Sequence, residues 1–369
     1  MIKITNSGYA QSIFYANEPT GKYGSTVTVN SDIGLVQNVS PTEKNSVFKI
    51  RKLGGTRDYA ALVSGKFECG GSFEYMLQDS KFIRQAFGED SGSTAVTNSG
   101  PRYVHAVGGV TGTTYHHVMG SAESPGVNDF PSFTLELNDD ENETTGTSTF
   151  KRIYNGCRVD SLSIAGEVDS PVSVNVDYIA QKVTVSSAGK TSVVEQTEDP
   201  FVFYQGGVYI GNTPFGTALP TGTVAEVNSF EFTLNNNLEA AWFINRGVEN
   251  AWENLRCLKS LIPKGRDMES RLSFNFKDKT QYERFLGATG ATSPQLTFTK
   301  PTVVIDLVRG GGPGSVSTSA NNDWVRLELA SVIFDDVTID GSPEDVVSEE
   351  YSISVRSCKF HSLDDISSY

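Results

Sequence analysis

One hairpin pattern, written twice, limits what this chain can fold into more than any other feature. Val172, Val174, Val176 and Tyr178 alternate with Ser173, Asn175 and Asp177, the two-residue period of a strand with one dry face and one wet face. The run before it, Tyr154 to Glu167, closes on the same alternation through Leu162, Ser163 and Ile164. Near the C-terminus Asp336 to Gly341 leads into Glu350 to Arg356, again with small polar residues between apolar ones. Such strands need a second layer over the dry face and a neighbour at each edge. The chain is therefore expected to be mainly β.

The order of signals predicts two tandem units in 369 residues, a length that suits two cores of ordinary size. Residues 1–45 carry Pro19, Gly21, Gly24, Gly34 and Pro41 with one strand-like run at 26–29, and read as an N-terminal arm or loop. Residues 46–185 form the first unit. In it Phe48 and Ile50 alternate with Lys49 and Arg51, and a second run from Gly65 to Tyr75 is broken by Gly70-Gly71. A helix is predicted over 78–87, capped by Asp79 or Ser80 and stopped by Gly88. Extended runs follow at 103–107 and 133–137. Residues 186–225 turn to Ser, Thr, Gly and Pro and read as a linker. In residues 226–369 the order restarts: alternating Phe230, Phe232 and Leu234, a strand over 268–276, and a short helix begun by Asp278 and ended by Gly287. Extended runs at 296–298, 303–305 and 325–329 precede the closing hairpin. Landmarks recur at similar separations: Ile50 to Phe232 is 182 residues, Gly88 to Gly287 is 199, Ile164 to Ile339 is 175 and Val174 to Ile353 is 179. This points to an internal duplication.

A search for catalytic or metal chemistry returns nothing. His116 and His117 are neighbours, and adjacent strand residues point to opposite faces, so they read as surface or loop residues. Asp139, Asp140, Glu141 and Glu143 lack the spacing of a calcium loop and read as a solvated charge run. The glycines at 310–312 and 314 have no lysine-serine ending for phosphate. Cys69, Cys157, Cys257 and Cys358 are far apart and read as lone thiols. No metal, cofactor or enzyme activity is expected. The start, Met1 to Asn6, has no apolar signal core, and no run reaches the roughly 20 apolar residues a bilayer span needs. A formal charge of −14 argues against a surface that grips phosphate backbones.

Val63 to Glu68 followed by Phe73-Glu74-Tyr75 and the helix to Gly88, then Pro131 to Glu136, then Tyr154 to Ile164, resemble the tail tube, or major tail, proteins of long-tailed viruses of bacteria or archaea. Val227 to Phe232, Arg271 to Phe276 and the final hairpin match more loosely, so the likeness spans most of 45–360. The resemblance implies two tail-tube-like β-sandwich or open-barrel domains, each with a short flanking α-helix. It implies a virion structural protein, made and assembled in the host cytoplasm, whose strands join between domains around a pore. Partners would be other copies of itself, in trimeric pseudo-hexameric or alternatively hexameric rings stacked into a tube. Tail terminator, baseplate or tip, and tape-measure proteins would complete the tail, and DNA would pass without specific binding or any membrane contact. The pore-facing candidates are Ser163, Ser173, Asn175, Asp177, Thr338, Ser352 and Ser354. Inter-subunit candidates are Lys49, Arg51 and Lys52 on a basic strand face, the acidic loop with Asp139, Asp140, Glu141 and Glu143, and Arg309, with the arm before Val47 and the loop over 309–322. The alternative is a β-rich carbohydrate-binding or adhesion protein using Trp242, Trp252 and Trp324 as platforms.

Overall fold

In a computed structural model the described residues are 11–19, 21–90, 94–96, 114–120, 131–139, 150–188, 190–196, 198–211, 223–242, 256–309, 324–341 and 347–364. Strands β1 (Gln11–Asn17), β2 (Ser31–Asp32), β3 (Val36–Ile50) and β4 (Ala61–Met76) precede helix α1 (Arg84–Phe87). Three short strands follow, β5 (Glu89–Asp90), β6 (Thr94–Val96) and β7 (Thr114–Gly120). Then come β8 (Phe133–Asp139), β9 (Phe150–Glu167), β10 (Ser173–Ala180) and β11 (Lys182–Ser186). A 3-10 turn at Phe203–Gln205 leads to β12 (Gly206–Gly211), β13 (Thr223–Ala225), β14 (Val227–Asn235), β15 (Glu239–Ala241), β16 (Ser260–Ile262) and β17 (Asp267–Asn275). Helix α2 (Thr280–Phe285) precedes β18 (Thr302–Val308), β19 (Trp324–Asp340) and β20 (Ser348–Asp364). No helix among the described residues is long and apolar enough to cross a membrane.

All pairings are antiparallel, and the long strands build one ladder in the order β3, β4, β10, β9, β14, β17, β20, β19. The two long strands β9 and β19 then leave it for a second layer. The first half of β9 pairs with β8 and β11, and β8 with β1; the first half of β19 pairs with β18 and the end of β20, and β18 with β12. One apolar core fills the space between layers. Leu162, Ile164, Val174, Val176, Phe230, Phe232, Leu272, Phe274, Tyr351 and Ile353 come from the ladder, and Leu135, Val303, Ile305 and Leu327 from the layer behind.

Two kinds of bulge recur in the ladder, each of them twice, and a further register shift between Asn45 and Val47 occurs in the β3–β4 pair alone. Asp177 faces Ser161 and Tyr178 faces Val159, so Asp160 is the extra residue; Ser352 faces Asp336 and Ile353 faces Phe334, so Asp335 is the extra residue. In the hairpins, Gln37 is skipped between Val36 and Asn38, and Asn228 between Val227 and Ser229. The bulge adds local twist to the strand that carries it.

Several local expectations are corrected. Residues 1–45 hold β1, β2 and the start of β3 rather than a bare arm, while 26–29 form no strand. Of the helix predicted over 78–87, only Arg84–Phe87 is helical. Side-chain bonds hold the start of that segment: Gln78 Oε1 accepts from the Leu35 N–H at 2.7 Å, its amide donates to the Glu198 carbonyl, and Asp79 Oδ1 accepts from Lys81 N–H at 3.0 Å. The predicted stripe nevertheless points inward, with Phe82, Ile83, Ala86 and Phe87 all buried. At α2 the N-cap position falls to Lys279, which makes no side-chain cap bond; the expected cap, Asp278, stands one residue earlier and accepts from Thr280 N–H at 2.7 Å. Leu296 lies in no strand and is fully exposed. His117 is not a surface residue: β7 pairs with β20, and His117, opposite the buried Ser362, is fully buried. Cys69, Cys157 and Cys358 are buried free thiols, and burial pushes the Cys69 thiol up to about 12. The run over 103–107, His105 and the glycine-rich loop from 310 lie outside the described residues.

Candidate functional site

Because side chains alternate across every strand, the buried face of the ladder fixes the composition of the opposite one. That opposite face is continuous and polar across all eight strands of the ladder. On the first four strands it carries Ser40 and Thr42, Ser72 and Glu74, Ser173, Asn175 and Asp177, and Ser161 and Ser163. On the last four it carries Glu231 and Thr233, Glu269 and Arg271, Glu350, Ser352 and Ser354, and Asp336, Thr338 and Asp340. The seven candidates Ser163, Ser173, Asn175, Asp177, Thr338, Ser352 and Ser354 therefore share one face. Strands β9 and β14 carry it unbroken from the first half to the second, with Ser163 opposite Thr233 and Ala165 opposite Glu231.

The chemistry of this face is hydroxyls bonded to carboxylates. Ser161 Oγ donates to Asp177 at 2.6 Å and Ser163 Oγ to Glu231 at 3.3 Å. At the second bulge Asp335 accepts from the N–H of Ser354 at 3.0 Å and from its hydroxyl. Charge is carried by both halves: Glu68, Glu74, Asp177 and Glu167 with Lys44 in the first, and Glu231, Asp267, Glu269, Glu350, Asp336 and Asp340 with Arg271 and Arg356 in the second. No His, Cys, Asp or Glu cluster among the described residues has the geometry of a metal site.

Strand β9 is sealed on both sides of the ladder, by β10 and β14. The outer ladder edges of β3 and β19 have no strand beyond them among the described residues, and apolar side chains lie open there. Ile339 is 46% exposed, whereas Ile164, at the corresponding point of β9, is 3% exposed under Phe232. Beyond Asn45 the β3–β4 hairpin carries Val47, Phe48, Ile50, Leu62 and Val63, all exposed, with Leu53 fully so at its tip. Contiguous apolar surface of this kind marks a contact with another molecule.

The inter-subunit candidates are distributed unevenly. Lys49 and Arg51 lie on the open hairpin, their cations 5.6 and 4.6 Å from the Tyr59 ring, and Lys52 is exposed beside them. Asp139 is bound within its own chain by Arg152 at 3.0 Å and Gln11 at 2.6 Å; Asp140, Glu141 and Glu143 lie outside the described residues. Arg309 is also engaged internally. Its guanidinium lies 4.5 Å over the Phe201 ring, pairs with Glu198 at 3.2 Å and donates to the Gln78 carbonyl. Nothing in the sequence around Arg309 names those partners, which lie more than a hundred residues away. Of the described tryptophans, Trp324 is buried and Trp242 is capped by the Lys66 ammonium at 4.3 Å, so neither is an open platform; Trp252 lies outside the described residues.

Sequence reasoning missed Asn236. It is buried, and its Nδ2 donates to the carbonyls of Ala86 at 3.1 Å and Val159 at 3.0 Å, while its own N–H donates to the Asp160 carbonyl at 2.7 Å. Arg266 donates to its Oδ1 at 2.9 Å. One amide thus ties α1, the β9 bulge and β14 together. The only trace of it in the sequence is a run of three asparagines, 235–237.

A family model described as phage tail tube protein matches residues 8–356. No curated protein matches the chain.

Proposed function

This chain belongs to the phage tail tube protein family, and from that premise we propose that it closes with copies of itself into rings that stack as a hollow tube for DNA delivery. The family assigns a structural role in the virion tail. The observation that carries the finer reading is the polar face running unbroken across a ladder whose two outer edges are open. A ring of such ladders removes every edge and turns one face toward a central bore.

The ladder register supports two copies of one unit, β3-β4-β10-β9 and β14-β17-β20-β19. Bulge residues Asp160 and Asp335 are 175 apart, and at that same spacing Tyr178 matches Ile353 and Ser173 matches Ser348. Bulge residues Gln37 and Asn228 are 191 apart, and Lys44 opposite Glu68 matches Asn235 opposite Asp267. Strands β4 and β17 differ by 199, as do Gly88 and Gly287. Two shifted bulges in the same places are a stronger signature than alternation, which any antiparallel protein has. Two units per chain favour rings of three chains with pseudo-sixfold symmetry.

A bore lined by hydroxyls and carboxylates repels phosphate and lets DNA slide, because it offers few cations to replace the counterions of the duplex. The exposed apolar hairpin of β3 and β4, with Lys49, Arg51 and Lys52, is the surface assigned to stacking between rings. The test is electron microscopy and native mass spectrometry of the purified chain. Hollow rings of three 40.0 kDa chains are expected; particles that stay monomeric at every concentration overturn the reading. Replacing Glu231, Glu269 and Glu350 together by Lys is expected to leave tubes intact and make them retain DNA at low salt. Tubes that retain no DNA remove the bore assignment.

A further inference from the structure

The seam inside the chain contains a lock whose two halves are repeated, unjoined, at the outer edges. At the inner seam Asn236 binds the Asp160 bulge and the end of α1 through its amide, with Arg266 holding its Oδ1. The spacing of 191 that relates β14 to β3 puts Asn45 in the place of Asn236, and the spacing of 175 puts Asp335 in the place of Asp160. Both pairs are chemically identical. The likeness extends to a third residue: Arg256 donates to Asn45 Oδ1 at 2.7 Å, as Arg266 does to Asn236. The Nδ2 of Asn45 has no hydrogen-bond partner among the described residues, and Asn45 and Asp335 are both exposed. The receiving side is also unfinished. Ala86 and Phe87 at the end of α1 are fully buried, with Phe87 stacked on Phe232 at 6.4 Å, whereas Phe285 and Leu286, 199 residues on, are only half-buried.

We propose that Asn45 of the next copy of this chain docks on the Asp335 bulge and the Phe285 carbonyl, locking β19 to β3 of that copy in a single register. The occupant is a second copy because only a copy carries the Asn236-like amide already held by its arginine. The proposal rests on the ring reading and adds its register. Transferring the inner pairs of Ser163 with Thr233 and Ser161 with Asn235 sets Thr338 opposite Thr42 and Asp336 opposite Lys44 of the next copy, the latter an opposite-charge pair. Ile339 then meets Pro41. A one-residue slip would turn the polar face of one strand against the dry face of its neighbour.

The test uses the full chain. Thr42→Cys combined with Thr338→Cys is expected to give, on mild oxidation of assembled rings, a disulfide ladder that stops at the ring number, whereas Glu43→Cys with Thr338→Cys gives none. Asn45→Ala is expected to raise the concentration needed for half-assembly about 10- to 100-fold, the effect of leaving buried carbonyls unpaired, without moving the unfolding midpoint of the isolated chain. Rings that form in the parent but show no Thr42–Thr338 cross-link, together with Asn45→Ala assembling at the parent concentration, overturn the lock and leave the ring reading standing. A parent chain that forms no rings overturns both.

Discussion

The inner seam between β9 and β14 and the outer ladder edges of β3 and β19 are built from the same parts but differ in what covers them. At the inner seam Ile164 and Phe87 are buried against Phe232, and Asn236 satisfies two carbonyls. At the outer edges Ile339 is half exposed and Asn45 is held by one arginine only. The difference teaches that part of the exposed apolar surface of this chain has a definite place: Ile339 stands where the inner seam is covered, and a further group lies on the β3–β4 hairpin.

The contrast gives paired substitutions with very different outcomes. Phe232→Ala removes a fully buried ring from the inner seam and is expected to cost about 3–5 kcal/mol of stability in urea unfolding, while Ile339→Ala, at the open edge, should cost less than about 1 kcal/mol in the isolated chain. A large loss from Ile339→Ala in the monomer would erase the distinction between sealed and open edges. Asn236→Ala strands the carbonyls of Ala86 and Val159 and is expected to cost about 1–3 kcal/mol; its counterpart Asn45→Ala should cost the monomer nothing measurable.

The β9 strand and its counterpart share a left-handed residue: Gly156 adopts φ +62° and Ser331, 175 residues on, φ +56°. They differ in the space around it, for a Cβ at Gly156 would lie 2.7 Å from the Gln181 Cβ. Gly156→Ala is therefore expected to cost about 1–2 kcal/mol from backbone strain alone, and calorimetry of the single variant checks it.

The smallest effect concerns acid. Buried Glu136 would be raised by burial, but the N–H and hydroxyl of Thr191 and the Lys151 ammonium at 3.1 Å outweigh that and hold it below the ordinary 4.5. A lowered native value means the carboxylate stabilises the fold fully above the unfolded value and loses that contribution as pH falls through the native one. Glu136→Gln should then lower the neutral plateau of a pH-stability curve and leave its acid end in place, so that the acid limb flattens. An unchanged acid limb would show the cluster to be neutral to folding.

How much of this was legible before the fold was known differs by residue. Val174, Val176 and Tyr178 declared both the strand and its buried face, because one face is dry and the other wet. Strand β1 was not legible: Ile13, Phe14, Tyr15 and Ala16 are all buried, the odd pair in the main core and the even pair in a small cluster with Val29, so alternation vanishes. The spacing of 175 between Ile164 and Ile339 follows the ladder, whereas Ile50 to Phe232 and Val174 to Ile353 do not, because Phe232 stands where Pro41 does and Ile353 where Tyr178 does. A spacing of 179 differs from 175 by an even number, so the alternation of faces does not tell the two apart. The shared polar face of the seven bore candidates was readable from alternation, but Asn45, Asn236 and Arg309 act through partners far off in sequence, which alternation does not encode.

The carboxylates present in both halves have a consequence for whatever moves past them. If chains close into rings as proposed, acidic side chains recur in every arc around the axis. A stiff, evenly charged rod would then be centred by repulsion from all sides while remaining free to turn.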